Sequence, residues 1–139
     1  AMIVSVPECT DCSYQAIQIG SDWYASTDYE THQTSLTKAQ AVTDPDGVMR
    51  FVVSEHSPAG EGQAIANWLE TTGHRTGAMM LRWQRIERDL TQEQDGPTIQ
   101  VVKLADVPDL LPHYAPITTQ EYAERIAARQ RSVSRRMIS

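Results

Sequence analysis

The sequence predicts a mainly β fold, an antiparallel β-sandwich of jelly-roll type with one C-terminal α-helix. Three observations predict it. Short runs of apolar residues with a period of two recur over the first two-thirds of the chain. The tetrapeptide Asp44-Pro45-Asp46-Gly47 marks a tight turn before one of these runs. Residues 1–117 show no helical crossover of the kind that parallel strands need, whereas residues 118–136 carry a clear helical signal.

Taken in order, Met2, Val4 and Val6 alternate, as do Tyr14, Ala16/Ile17 and Ile19 with Gln on the other face, so both segments read as half-buried strands. Gly20-Ser21-Asp22 turns the chain into Trp23-Tyr24, and the polar stretch 25–38 reads as a long loop running into a strand around 33–42. The Asp44–Gly47 turn is expected to join a strand ending at Thr43 to Val48–Val53 as a hairpin. Residues 57–66, rich in Gly and Ala, interrupt the strand pattern. Thr76–Arg85 reads as a strand with a nearly continuous apolar centre, and thus as a central one. Residues 88–97 read as an acidic surface loop, Thr98–Leu104 as the last strand, and Pro108 and Pro112 as punctuation of a turn-rich crossing.

Thr118-Thr119-Gln120-Glu121 has the form of a capping box, in which a Thr hydroxyl and a Glu carboxylate satisfy the first free helical amides. Tyr122, Ile126, Val133 and Met137 follow on one helical face with no Gly or Pro between them, predicting a helix over about 119–136. The expected organisation is a sandwich over 1–117 and an amphipathic helix over 118–139 of the same domain, within a longer chain that supplies an upstream domain as partner.

A length of 139 residues suits one domain with its own core. The formal net charge of −6 argues against nucleic acid as a partner, since binding to phosphate needs basic surface. The charge is uneven: residues 118–139 hold five Arg against two Glu. That composition fits a solvated helix face complementing an acidic body, or a docking helix for an acidic partner. No stretch approaches the ~18 apolar residues of a membrane span, and no signal-peptide pattern opens the chain, so a soluble, cytoplasmic protein is expected.

The two cysteines form a single Cys9-Thr10-Asp11-Cys12 motif. The four His are scattered, no second ligand pair accompanies the motif, and a strand pattern rather than a helix follows it. The cysteines read as ordinary small core or loop residues of a reducing compartment, and neither a metal nor a cofactor is expected.

Two segments carry residues suited to a site. Asn67-Trp68-Leu69-Glu70-Thr71-Thr72-Gly73-His74 places an aromatic face beside amide and imidazole donors, with Arg82 and Trp83 close by in sequence, a combination that can hold a small polar ligand. Its structural alternative has Trp68 plugging one end of the sandwich, Asn67 satisfying loop backbone, Gly73 at positive φ and His74 bonding a carbonyl. The second segment, Ser21–Glu30, contains Trp23 and Asp28. Asp28 with His74 or His32 could form an acid–base pair, or could simply cap an Asx turn. Nucleophile-elbow, phosphate-loop, GxGxxG and HExxH patterns are all absent from the sequence.

The ordered succession Tyr14-x-x-x-Gln18, Asp22-Trp23-x-x-Ser26-x-Asp28-Tyr29, Thr34-Ser35-Leu36-x-x-Ala39-Gln40, Asp46-Gly47, Asn67-Trp68-Leu69-x-Thr71-x-Gly73-His74-x-x-Gly77 and Leu81-Arg82-Trp83 resembles the domain of unknown function 1214 family. The resemblance runs from about residue 3 to 137. It implies a β-sandwich near the C-terminus of a longer bacterial protein, and no activity. The segment 57–66 is longer than the family's usual turn, and the aromatic cluster after Tyr14 is thinner.

These readings converge on a non-catalytic accessory or ligand-binding domain, with Trp23, Asp28, Asn67, Trp68, His74 and Arg82 as candidate ligand residues. Trp68 and His74 are expected on one wall of a pocket, Asp28 opposite, and 57–66 at the mouth. An enzyme domain acting on a carbohydrate or lipid-derived substrate through an Asp/His pair, and a structural or homo-oligomerising module, are the alternatives.

Overall fold

A computed structural model describes residues 1–138. Its strands are β1 (Met2–Pro7), β2 (Tyr14–Gly20), β3 (Ser35–Thr37), β4 (Val48–Ser54), β5 (Gln63–Ile65), β6 (Trp68–Glu70), β7 (Ala78–Gln84), β8 (Thr98–Val101) and β9 (Pro116–Thr118). The helices are α1 (Gln92–Asp95), α2 (Val107–Leu110) and α3 (Thr119–Ile138). The fold is mainly β with antiparallel sheets and a C-terminal helix, as expected. The strands form three sheets, ordered β6-β4-β1-β8, β3-β2-β7 and β5-β9. One pair departs from the antiparallel expectation, since β6 lies parallel to β4.

Strand periodicity explains how the layers meet. Val4 and Val6 of β1 and Met49, Phe51 and Val53 of β4 share a core with Ile17 and Ile19 of β2 and Leu36 of β3. The four- and three-stranded sheets therefore bury one face each against the other. The alternate residues Ile3 and Val52 point the opposite way, into a second core with Ala64, Ile65, Trp68 and Val107. β5, β9, α2 and the start of α3 cover that face, so the middle of the four-stranded sheet is buried on both sides. Burying Phe51 or Leu69 alone contributes about 2–3 kcal/mol of transfer free energy.

Several elements differ from their sequence reading. The strand expected over 33–42 is only β3, and it pairs with β2 instead of forming a hairpin with β4. The turn itself forms as expected: Gly47 sits at φ 81°, its amide donates to the Asp44 carbonyl at 2.9 Å, and Arg50 pairs with Asp44 and Asp46 at 2.6 and 2.7 Å. Only one bridge, Thr43 to Met49, remains of the hairpin, because β4 spends its pairing capacity on β1 and β6.

β7 is an edge strand, not a central one; its apolar run serves the core on one side with Leu81 and a cleft on the other with Met80. The segment 57–66 is not merely an insertion, since it supplies β5, and the 88–97 loop contains α1. The last expected strand stops at Val101, and the crossing beyond it forms a 3-10 turn and α2.

The capping box is present: Thr118 Oγ1 accepts from the Glu121 amide at 3.1 Å, and the Thr118 amide donates to Glu121 Oε2 at 2.8 Å. The strand β9 reaches through Thr118, across the boundary expected at 117/118. Met137, expected on the buried helix face, lies outside the residues whose side chains are described. No described helix is long and apolar enough to cross a membrane.

Candidate functional site

The outer face of the β3-β2-β7 sheet and the second half of α3 enclose a cleft of about 430 Å³. Its construction follows from period two. Ile17, Ile19, Leu36 and Leu81 face the core, so Ala16, Gln18, Ser35, Thr37, Met80 and Arg82 face outward. The helix crosses above them and contributes Arg129, Ser132, Val133 and Arg136. Among the described residues, three arginines line this cleft and no Asp or Glu does.

The arginines of α3 do not act as a solvated face. Arg125 and Arg129 fall three and seven residues after Tyr122, on the same side of the helix, and that side is turned to the body. Arg129 donates to the Tyr29 carbonyl at 3.1 Å, the Ser35 carbonyl at 2.6 Å and Ser35 Oγ at 2.9 Å. Arg125 donates to the Gln40 carbonyl at 2.8 Å and to Gln33 Oε1 at 3.2 Å.

Burial lowers the pKa of both guanidinium groups and Tyr122 opposes it in each; for Arg129, Arg125 and Arg136 add to the lowering and Glu70 to the opposition. Neither forms an ion pair among the described residues. Arg82, by contrast, is exposed on β7 and makes no side-chain hydrogen bond or ion pair among the described residues. A cleft with this charge is suited to an anion, because guanidinium groups bind carboxylate and phosphate oxygens through paired N–H donors.

The residues singled out in the sequence are distributed differently. Trp68 is buried; its Nε1 donates to Ser54 Oγ at 3.0 Å and its ring lies 5.4 Å from that of Tyr122. Asn67 is also buried, accepting from the Val42 amide at 2.8 Å and donating to the carbonyls of Val42 and Arg50 at 2.7 and 3.2 Å. These two side chains hold backbone together and fill the second core. Gly73 takes φ 83°, and the His74 amide closes a turn onto Thr71 at 3.1 Å while its side chain is exposed. Trp23 is 89% exposed.

Asp28 caps its own loop, accepting from the amides of Glu30 and Thr31 at 3.2 and 3.0 Å and from the Thr31 hydroxyl. His32 Nδ1 stands 3.3 Å from its carboxylate. The Thr31 hydroxyl, followed by the other donors, holds the Asp28 pKa down to about 2, which makes it a poor base near neutrality. No hydrogen bond or ion pair joins Asp28 to His74 among the described residues. Of the six candidates, Arg82 lines the cleft, and Asn67 borders a separate, smaller hollow near Tyr114.

Glu70 was missed as an organiser. Its Oε2 accepts from the Gln33 amide at 3.1 Å and from the Tyr122 hydroxyl. Burial, with this bond to Glu70, raises the Tyr122 pKa well above the phenol range. Gln33, fully buried, donates to the carbonyls of Ala66 and Trp68 at 2.9 and 2.7 Å. The polar outer face of β2 and the one-sided arginines of α3 were the available signals for the cleft.

The cysteines also differ from expectation: Cys9 and Cys12 are joined in a disulfide. No group of three or more His, Cys, Asp or Glu among the described residues could hold a metal ion.

No family model and no curated protein matches the chain. A crystal structure of an uncharacterised protein from Burkholderia cenocepacia is similar to it, at TM-score 0.63 and 31% sequence identity over 75% of this chain. The match covers 26% of that protein, so this chain spans about a quarter of its length.

Proposed function

We propose that the chain is a non-catalytic ligand-binding β-sandwich module of the domain of unknown function 1214 type, and that its cleft takes a small anionic molecule. The carrying observation is the charge of the cleft: among the described residues Arg82, Arg129 and Arg136 line it and no Asp or Glu does, with Arg82 exposed and unbonded on β7. Burial disfavours the charge on Arg129, and an anion bound beside it would favour that charge and offset the repulsion from Arg125 and Arg136. The ligand is thus the small polar partner expected from the sequence, held at the sheet–helix cleft instead of around Trp68 and His74. An upstream domain of a longer protein would be the natural source or recipient of such a ligand; the similar Burkholderia protein is longer, being matched over 26% of its length.

Calorimetric titration with small carboxylates and phosphate monoesters, against their neutral amides and alcohols, tests the reading. Arg82→Ala should weaken binding ten-fold or more, since a charge-assisted hydrogen bond contributes about 1.5–3 kcal/mol, and should leave the melting temperature unchanged. Equal binding of the neutral analogues, or an unaltered affinity in Arg82→Ala, refutes it.

A second reading, a homo-oligomerising module, draws on β8. This edge strand leaves Ile99 51% and Val101 83% exposed, and an unpaired apolar edge is a template for another strand. Sedimentation of wild type and Val101→Lys would distinguish it. The acid–base enzyme reading loses support, because Asp28 is occupied with its own loop.

A further inference from the structure

The Cys9–Cys12 disulfide lies in the loop between β1 and β2, far in function from anything the cleft requires. Such a bond closes a very short loop, and cross-links of that span constrain the unfolded chain least. The loop is also held without it. Gln15, 1% exposed, accepts from the Cys9 amide at 2.7 Å and donates to the Pro7 carbonyl at 2.9 Å. Lys38 Nζ donates to the carbonyls of Cys9 and Cys12 at 2.9 and 3.0 Å. Arg88 anchors Asp11 at 2.7 Å. The disulfide is therefore poorly placed as a staple, and the two sulfurs would remain neighbours after reduction.

The two sulfurs are not equivalent. Cys9 is buried, with Asp11 Oδ1 3.5 Å from its sulfur. Cys12 is half-buried, with the Lys38 ammonium 3.9 Å from its sulfur. A cation beside a sulfur favours its thiolate and a carboxylate disfavours it. The positive charge that a helix N-terminus would supply in other CxxC sites comes here from Lys38, in the turn that follows β3. The remaining charged groups around the loop are Glu8 within it, and Arg88 with Asp95 behind Asp11.

We propose that Cys9 and Cys12 form a reversible thiol–disulfide exchange site, with Cys12 as the attacking sulfur and Cys9 as the resolving one. The co-reactant is an aliphatic disulfide, R–S–S–R. The Cys12 thiolate attacks one of its sulfurs, forming a mixed disulfide and expelling RS⁻. Cys9 then loses its proton to solvent and attacks Cys12 Sγ, restoring the internal disulfide and expelling the second RS⁻. Both leaving thiolates take up protons as their own pKa dictates. The protein dithiol is oxidised by two electrons and the co-reactant is reduced by two.

The experiment uses the whole chain reduced with dithiothreitol. Iodoacetamide labelling across pH, read by peptide mass spectrometry, should modify Cys12 at least ten-fold faster than Cys9 at pH 7, with a midpoint below the ordinary thiol value of about 8.5. Lys38→Met should raise that midpoint, and Lys38→Arg should restore it. Oxidised glutathione should return the wild type to its internal disulfide and should leave Cys9→Ser carrying one glutathione on Cys12; this arm needs no change at Lys38. The proposal is overturned if dithiothreitol opens the bond only in denaturant, if the two thiols label alike, or if Cys9→Ser takes up no glutathione.

Discussion

Arg129 on α3 donates to both the carbonyl and the hydroxyl of Ser35 on β3, at 2.6 and 2.9 Å. This double contact ties the helix to the edge of the three-stranded sheet and sets one wall of the cleft. Because Arg129 also carries the Tyr29 carbonyl, one side chain organises two segments that are about a hundred residues away in sequence. Arg129→Ala is expected to lower stability by about 1–3 kcal/mol, through backbone carbonyls left without a donor. Arg129→Lys should recover only part of that, since an ammonium cannot present the guanidinium fork. Urea denaturation of the three proteins measures both, and an unchanged midpoint in Arg129→Ala would falsify the anchoring role.

Trp68 and Trp23 differ in environment in a way that fluorescence reads directly. Trp68 is 8% exposed and Trp23 89% exposed. Trp68→Phe should shift the emission of the folded protein to the red and cost about 1–3 kcal/mol, as Ser54 loses the indole donor and the second core loses volume. Trp23→Phe should leave stability within about 0.5 kcal/mol, as expected of an exposed surface change. The reverse pattern would contradict the placement of both rings.

Asn67 closes three backbone groups of the chain at once. Asn67→Ala should therefore destabilise by on the order of 2–3 kcal/mol despite the small loss of apolar volume. Asn67→Asp should be no better near neutrality, because a carboxylate cannot donate to the carbonyls of Val42 and Arg50. Melting temperatures of the two variants decide this; a wild-type value in either would remove Asn67 from the framework.

Acid sensitivity should centre on Asp95, whose carboxylate accepts from Arg88 at 2.6 Å. That hydrogen bond, helped by the Thr91 amide, holds its pKa to about 2 against an ordinary 3.8. The folded state thus binds this proton less readily than the unfolded chain. Its stabilisation is present above the ordinary value and is lost as pH falls through about 2. Asp95→Asn should lower the melting temperature near neutrality and flatten its fall between pH 4 and 2. Asp28, held to about 2 chiefly by Thr31, titrates in the same window, so Asp28→Asn serves as the comparison. Superimposable acid limbs for wild type and Asp95→Asn would show that the Arg88 pair contributes nothing.

Elements with local causes were legible in the residues alone. The Thr118–Glu121 capping box, the Asp44–Gly47 turn and the alternation in β1 each need only neighbouring residues, and each is found where the pattern places it. β2 forms as a strand, but Gln15 is buried beside Ile17 and Ile19 while Tyr14 and Ala16 face outward, because the Gln15 amide is used by the backbone of Cys9 and Pro7. The sequence also limited Asn67 and Trp68 to a polar-aromatic segment with a structural alternative, and the hydrogen bonds of both side chains have that structural form.

Features that depend on partners distant in the chain became visible only in the fold. β5, β6 and β9, three residues each, are too short to show periodicity, and exist because β4 and one another supply their hydrogen bonds. The place of β7 at an edge follows from pairing, which an apolar run does not encode. The arginines of α3 look like a solvated stripe in sequence, because nothing local shows that unpaired carbonyls of Tyr29, Ser35 and Gln40 lie beneath them. The cationic cleft arises from that docking: its charges come from β7 and α3, and only the fold brings them together.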